Sequence, residues 1–346
     1  MRRRVAIIGS FSDSLNGQTI KTKTLYDELS IATDWRLVKV DTQFKKKNPC
    51  KLAIQYVYGI VTCKDIFLLA SRKGMALFFP LLYYASKVAG KKIFHDVIGG
   101  NLAEYVKKYP KYKKYLNSFT ANMVESRKMA VELEGLGVFN SVVVPNFKRL
   151  KIANPEKLCS HSEPYTFCTF SRVMKEKGIS DAANAVAKTN EKYGRTVCTL
   201  DIYGMIDPSY ESELKGLLAD NPEIIKYCGT VSYSESTDTI QKYYALLFPT
   251  HWKGEGFPGT LIDAFAAGLP VIATDWNVNS EIVKNGKTGI VYPNAEIRSL
   301  QEAIEWMIEN QESVYQMKIN CLSEANRYLP EEHINKIVGI VLKGTK

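Results

Sequence analysis

The sequence predicts an α/β protein made of two Rossmann-like, doubly wound domains facing a cleft. Three observations carry this expectation. Short β-branched runs alternate with amphipathic segments along the whole chain, the patterns of strand and helix respectively. The alternation runs twice, in two blocks, and 346 residues suit two domains. Between the blocks, a stretch from Val144 to about Pro164 holds Pro145, Pro155 and Pro164 and little periodicity, as a linker would. The expected organisation is therefore an N-terminal domain over 1–148, a linker over 149–164, a second domain over 165–325, and a C-terminal helix over 326–346 that packs back on the first domain.

In the first block, strands are expected at Val5–Ile8, Leu37–Val40, Asp65–Leu69, Lys92–His95, Ala121–Val124 and Ser141–Val144. Helices are expected at Gln18–Ile31, Gly74–Val88, Leu102–Leu116 and Arg127–Leu136. In the second block the strands are Tyr165–Phe170, Thr196–Tyr203, Ile224–Cys228, Ala245–Phe248, Val271–Thr274 and Gly289–Tyr292, and helical segments run from about Ile297 to Val341. Strands separated by helices imply parallel sheets with right-handed crossovers, whose ligands gather at the carboxyl ends of the strands.

Composition narrows the class. With 45% hydrophobic and 24% charged residues the chain reads as an ordinary globular protein. The opening apolar run ends at Gly9 and suits a strand rather than a secretory segment. No apolar run approaches the roughly 20 residues that span a bilayer. Seven cysteines without a Cys-x-x-Cys pair point to reduced core thiols in a cytoplasmic setting and against a zinc site. The net charge of +10 is uneven: residues 1–148 carry 25 Lys and Arg against 11 Asp and Glu, and the rest of the chain is slightly acidic. The first domain is thus expected to meet something anionic: nucleic acid, a membrane surface or a phosphorylated acceptor.

The most informative segment runs from Glu255-Gly256-Phe257-Pro258-Gly259-Thr260 through Asp263 to Gly268-Leu269-Pro270-Val271. A strand ends at Phe248-Pro249-Thr250, a glycine-rich loop follows, and a helix is expected over Thr260–Ala267. Backbone N–H groups of Gly256–Thr260 at that helix start form an anion site. Glu255 can accept hydrogen bonds from sugar hydroxyls. Asp263 is expected in the first helical turn, either toward a ligand or as the acid of a Thr260-x-x-Asp263 capping box.

Upstream, Arg172, Lys175 and Lys177 in Ser171-Arg172-Val173-Met174-Lys175-Glu176-Lys177-Gly178 precede a helix. Cations at a helix N-terminus are disfavoured by roughly 0.3–1 kcal/mol each unless an anion is present. The first strand is followed by Gly9-Ser10-Phe11 and Asn16-Gly17-Gln18-Thr19, without the G-x-G-x-x-G of a dehydrogenase. Among four histidines, only His95 sits at an expected strand end, next to Asp96.

The Glu255–Val271 segment resembles the signature of retaining glycosyltransferase family 4, a family with the GT-B fold. That pattern is Glu-Gly-Phe-Gly-x-x-x-x-Glu-Ala-x-Ala-x-Gly-x-Pro-Val; here Pro258 replaces a glycine and Asp263 the second glutamate. The loop around Arg172 and Lys177 is similar to the family's Gly-Arg-Leu-x-x-x-Lys-Gly. The resemblance implies a nucleoside-diphosphate-sugar donor, with UDP as its nucleotide. Glu255 and His95 would contact the sugar, Asp263 the ribose, and Arg172 and Lys177 the diphosphate. Gly17, Gly256, Phe257, Pro258, Gly259 and Thr260 would line the donor, and Val231 would border the base. It implies transfer with retention, no cofactor and no metal; the chain has no Asp-x-Asp. Catalytic work would rest on Glu255, His95, Arg172 and Lys177. The acceptor would be a glycan or lipid-linked molecule in surface polysaccharide or glycolipid synthesis. A nucleotide-sugar epimerase of the same architecture is the first alternative. A nucleic-acid-binding protein is the second, but no recognition motif supports it, and no nucleic-acid partner is expected.

The basic runs at Phe44–Lys47 and Tyr105–Tyr115 predict a peripheral position on the inner face of the cell membrane, with lysines on anionic lipid and tyrosines at headgroup depth. The apolar run Met75–Tyr84 is expected to be a core helix, with a lipid-chain entry as its alternative.

Overall fold

The computed structural model describes residues 2–12, 17–158, 161–293 and 297–343, so Asn16, Cys159 and the last three residues of the chain lie outside it. The described residues form two units, one of Met1–Lys148 with Pro330–Lys346 and one of Arg149–Leu329.

The first unit runs β1 (Arg4–Gly9), α1 (Gly17–Ala32), β2 (Arg36–Asp41), α2 (Phe44–Lys47), α3 (Pro49–Thr62), β3 (Asp65–Leu68), α4 (Arg72–Ala89), β4 (Lys92–Asp96), α5 (Leu102–Lys108), α6 (Lys111–Ser118), β5 (Ala121–Val124), α7 (Arg127–Gly135) and β6 (Ser141–Val143). Its six strands pair in the order β2-β1-β3-β4-β5-β6, and every pairing is parallel. All six expected strands are present to within a residue or two.

The helices depart from expectation in two places. The segment Leu102–Leu116 is two helices, because Tyr109 leaves the helical region (φ −130°, ψ 81°) and the ring of Pro110 removes an N–H that a continuous helix requires. Helices α2 and α3 were not expected. Pro49 opens α3, and Asn48 caps it by accepting from the Lys51 N–H at 3.0 Å.

The second unit runs β7 (Tyr165–Phe170), α8 (Ile179–Tyr193), β8 (Cys198–Tyr203), α9 (Glu211–Asp220), β9 (Ile225–Tyr227), α10 (Ser236–Ile240), β10 (Leu246–Phe248), α11 (Gly259–Ala266), β11 (Val271–Thr274), α12 (Asn279–Ile282), β12 (Gly289–Tyr292), α13 (Ile297–Glu309) and α14 (Gln311–Ala325). Its order is β12-β11-β10-β7-β8-β9, again all parallel. The chain winds outward from β7 to β9 and then returns to β10 on the other side of β7. The switch point therefore lies between β7 and β10, where an open parallel sheet leaves a crevice at its carboxyl edge.

The segment expected as a linker is docked on the second unit. Leu150 and Ile152 pack on its core, and the Ala153 N–H donates to the Ala266 carbonyl at 2.8 Å. The final helix, α15 (Pro330–Lys343), lies against the first unit's sheet face. Its Ile334, Ile337 and Val341 are buried with Val5, Ile7, Leu25 and Leu29, and Lys336 donates to the Val143 carbonyl at 2.8 Å.

The other face of the first sheet holds the corrections of greatest consequence. His95 does not present itself at an open strand end. It is 0% exposed, because β4 continues through Asp96 and the ring points under α4, edge-on to Phe79 at 5.0 Å. Its Nδ1 lies 3.3 Å from Asn122 Oδ1, and its Nε2 has no protein partner. Burial lowers its pKa to about 4. The tyrosines of the 105–115 run turn inward too. Tyr112 is buried against Phe79 and Tyr105, and Tyr115 packs against Tyr83. Tyr105 and Tyr115 are half-buried and Tyr109 is exposed, so of this run Tyr112 is core and only Tyr109 stands out as a surface ring.

The depressed His95 pKa fixes a pH dependence. The folded state holds the imidazole neutral down to about pH 4, whereas the unfolded chain binds the proton near 6.5. Between those values the unfolded state carries the extra proton, so stability falls as pH drops from about 6.5 towards 4. Chemical unfolding across that window should show the loss, and His95→Phe should reduce it, with half-buried His161, whose pKa burial also lowers to about 4, supplying a further share. The His95 imidazole itself, assigned by comparison with His95→Phe, titrating near 6.5 by NMR in the folded protein would refute the assignment.

Candidate functional site

The loops that follow β7, β9 and β10 gather at the carboxyl edge of the second sheet. Two glycines force the loop after β7 into place. Gly178 has φ +70°, and a Cβ there would lie 2.2 Å from the Pro249 carbonyl oxygen. Gly204 has φ +134°, and a Cβ there would lie 1.8 Å from the Ser171 carbonyl oxygen. The loop Ser171–Gly178 is thereby pressed against the ends of β8 and β10, at positions where only glycine fits.

This placement carries Lys177 to Glu255. The Lys177 ammonium donates to Glu255 Oε2 in an ion pair whose side chains are 10% and 7% exposed. Thr250, at the end of β10, donates its hydroxyl to the same oxygen at 3.0 Å. Lys177 also lies over the rings of Trp252 at 5.1 Å and Phe248 at 5.5 Å. Backbone contacts hold the second loop: Glu255 N–H donates to the Trp252 carbonyl at 3.0 Å, and the Asn277 amide donates to the Glu255 carbonyl. Asn277 adopts φ +53°, left-handed backbone that asparagine tolerates better than most residues.

Helix α11 begins at Gly259 with Pro258 as its cap residue, and Pro258 offers no side-chain acceptor. First-turn N–H groups have no intrahelical partner. Thr260 lies within the first turn and donates its hydroxyl to the Phe170 carbonyl at 2.9 Å, which ties α11 to the end of β7. The Thr260-x-x-Asp263 capping box is therefore not formed. Because the helix starts a residue early, Asp263 falls in its second turn and not its first. Asp263 is buried, and its charge adds to burial in raising the pKa of Tyr233.

Around this centre, Arg172 is half-exposed and pairs with Asp207 at 3.1 Å, Lys175 is exposed, and half-buried Val231 and Phe257 border one apolar cluster. Lys177, Glu255, Gly256, Pro258, Gly259 and Thr260 thus share one sheet edge, with Arg172 on the same loop as Lys177. Gly17 falls in the first unit, where it opens α1 with open space around it. His95 falls in the first unit's core.

Four contributors were not singled out from the sequence: Thr250, Trp252, Asn277 and Thr274, whose hydroxyl donates to the Thr250 carbonyl at 2.6 Å. The first unit holds another unexpected cluster. Lys21 of α1 lies 2.7 Å from Asp96 Oδ1 and 2.9 Å from Glu125 Oε1, and donates to the Val97 carbonyl at 2.8 Å. Burial opposes the lysine's charge, but the two carboxylates outweigh it and raise its pKa; burial raises that of Asp96. Only Asp96 carried a sequence signal. Among the described residues, no three His, Cys, Asp or Glu side chains converge to hold a metal ion.

Comparison with known proteins bears on the family and the fold. Residues 151–321 match the family model described as glycosyl transferases group 1. The chain is similar to GtfA of Streptococcus pneumoniae, a subunit of a UDP-N-acetylglucosamine–peptide N-acetylglucosaminyltransferase, with 27% identity over 53% of this chain and 34% of that protein. It is also similar to CapM of Staphylococcus aureus, a capsular polysaccharide biosynthesis glycosyltransferase, with 27% identity over 56% of this chain and 49% of that protein. The chain thus spans about a third to a half of these relatives' length. Among solved structures, HepE of Anabaena in complex with UDP superposes with TM-score 0.74 at 15% identity, over 98% of this chain and 99% of that one. Sucrose-phosphate synthase of Thermosynechococcus elongatus superposes with TM-score 0.77 at 14% identity, over 99% of both chains. Residues 151–321 of this chain belong to the glycosyl transferases group 1 family, and its two parallel six-stranded sheets have the GT-B fold.

Proposed function

We propose that this protein is a retaining, metal-independent glycosyltransferase that uses a UDP-sugar donor held by its second unit. The observation that carries the reading is the buried Lys177–Glu255 pair at the switch point of the second sheet, beside the start of α11. A diphosphate suits the Lys177 ammonium, the nearby Arg172 guanidinium and the first-turn N–H groups of Gly259 and Thr260. UDP is supported by the names of GtfA and of the HepE complex. Asp263 accepts from the ribose, and Val231 and Phe257 supply apolar surface beside the base. With the ammonium drawn to phosphate, Glu255 turns its acceptor oxygens to sugar hydroxyls while Thr250 continues to orient it.

As the glycosidic bond breaks, positive charge develops at the anomeric carbon and negative charge on the leaving diphosphate. Lys177 and Arg172 stabilise the second where it forms, in a partly buried site where such charge is felt most. The leaving phosphate takes the acceptor's proton on the face from which it departs, so configuration is retained. No protein nucleophile is assigned. Gly17, which opens α1 in the first unit, and His95, sealed in that unit's core, are not assigned a contact. The acceptor is a glycan or lipid-linked molecule of surface polysaccharide or glycolipid synthesis, a reading that CapM's description supports. The basic first unit suits a cytoplasmic protein at an anionic membrane surface.

Calorimetry with UDP and a coupled assay for UDP release, run over a panel of UDP-sugars and glycan acceptors, test the assignment. Glu255→Gln should lower turnover by about 100-fold or more, on the scale of one lost transition-state contact, while UDP affinity stays within about threefold. Lys177→Ala should weaken UDP binding by about 1.5–3 kcal/mol. Near-normal turnover in the first variant, or unchanged affinity in the second, would overturn it. Separately, chelation of divalent cations should leave turnover unchanged, and strict dependence on added metal would sink the metal-independent mechanism.

A further inference from the structure

Helices α3 and α4 lie side by side on one face of the first sheet, with Tyr56 of α3 packed on Phe78 of α4 at 5.9 Å between ring centroids. Both bury an apolar side: Leu52 and Gly59 on α3, and Met75, Phe78, Phe79 and Leu82 on α4. Each carries a second apolar stripe that faces outward. On α3 it is Ile54, Val57, Tyr58 and Val61, exposed by 45–71%. On α4 it is Leu77, Leu81, Tyr84 and Val88, exposed by 38–84%. The spacings i, i+3, i+4, i+7 and i, i+4, i+7, i+11 each define one continuous helical face. Scattered apolar residues on a surface need no explanation, but an exposed apolar stripe on each of two neighbouring helices marks an interaction surface.

Charge identifies the partner. Residues 43–64 contain five lysines and no acid, and residues 66–95 contain no acid at all. Lys45, Lys46, Lys47 and Lys51 are exposed on α2 and α3, Arg72, Lys73 and Lys87 on α4, and Lys111, Lys113 and Lys114 on the neighbouring α6. Apolar stripes flanked by cations and devoid of acids match a bilayer surface with anionic headgroups, where the side chains reach acyl depth and the lysines meet phosphate. Among the described residues no helix is long and apolar enough to cross a membrane.

We propose that the outward faces of α3 and α4 insert shallowly into an anionic leaflet and anchor the first unit there. The membrane reading above placed its contacts on the lysine and tyrosine run of 105–115. The inference rests on that reading for its setting, moves the apolar contact to α3 and α4, and keeps the lysines as the electrostatic part.

The test uses the full chain and vesicles of phosphatidylcholine alone or mixed with phosphatidylglycerol. The wild type should sediment with mixed vesicles and far less with neutral ones. The variant Val57→Ser, Val61→Ser, Leu81→Ser, Val88→Ser should lose about tenfold or more of that partitioning, with circular dichroism and UDP affinity unchanged. Lys45→Gln, Lys46→Gln, Lys47→Gln should bind more weakly and with a shallower salt dependence. Absence of wild-type binding at low salt, or equal binding by the serine variant, overturns the proposal. So does a wild-type dimer in sedimentation velocity that the serine substitutions split, because a second copy then covers the patch. UDP release measured on the same samples is independent: vesicle binding lost with UDP release intact removes only the docking face, and the converse removes only the enzymatic reading.

Discussion

The site of the second unit depends on one interaction, the buried ion pair between Lys177 and Glu255. Desolvating a carboxylate and an ammonium costs several kcal/mol per ion, and mutual attraction offsets this only when geometry and additional hydrogen bonds are good. Much of the surrounding structure supplies those conditions. Gly178 and Gly204 let the Lys177 loop approach backbone that any side chain would strike. Thr250 bonds the carboxylate directly, Thr274 fixes Thr250, and Asn277 accepts a left-handed backbone to hold the Glu255 carbonyl. Aromatic faces of Phe248 and Trp252 flank the ammonium. A charge held this way is already oriented, so little reorganisation is required when a phosphate competes for it.

The first unit shows the same physics with a different result. Lys21 is shared by Asp96, Glu125 and a backbone carbonyl, so α1 is fastened to the carboxyl ends of β4 and β5 from within. Its hydrogen-bonding capacity is used by those partners, and burial raises the pKa of Asp96 against the lowering effect of the ammonium. His95, one residue earlier on the same strand, faces the opposite side and meets aromatic rings in place of charge. Alternation along a strand therefore separates a polar cluster from an uncharged imidazole across a single peptide bond.

Much of this was legible in the sequence, and the failures have identifiable physical causes. Inner strands such as β3, β5, β10 and β11 are short apolar runs buried on both faces, which made them readable. Lys177 and Glu255 were legible because a cation before a helix and an acid in a glycine-rich loop are both costly without a ligand or each other; their pairing was not, since it joins residues 78 positions apart. Helix α3, apolar on its outward side as well as its inner one, lacks the polar outer face that marks a surface helix. Its start was written in Asn48-Pro49, a cap followed by a first-turn proline. The tyrosines of 105–115 read as surface residues because lysines surround them; after the break at Pro110, Tyr112 turns inward against Tyr105 while the lysines stay outside.

The two groups of cations in this chain act under different conditions. Lys177 is nine-tenths buried, so mobile ions screen it poorly and its attraction for an anion varies little with salt. The lysines of α2, α3, α4 and α6 stand in water, where each is worth about 1 kcal/mol against an anionic leaflet and is damped beyond a Debye length of about 8 Å at physiological ionic strength. No single one of them has an address. Exposed charge of this kind attracts any polyanion, and only the apolar stripes between the lysines, which gain nothing from nucleic acid or free phosphate, separate a bilayer from other anions. Net charge alone therefore left three partners open; the outward faces of α3 and α4, invisible until that helix pair was placed, are what favour one of them.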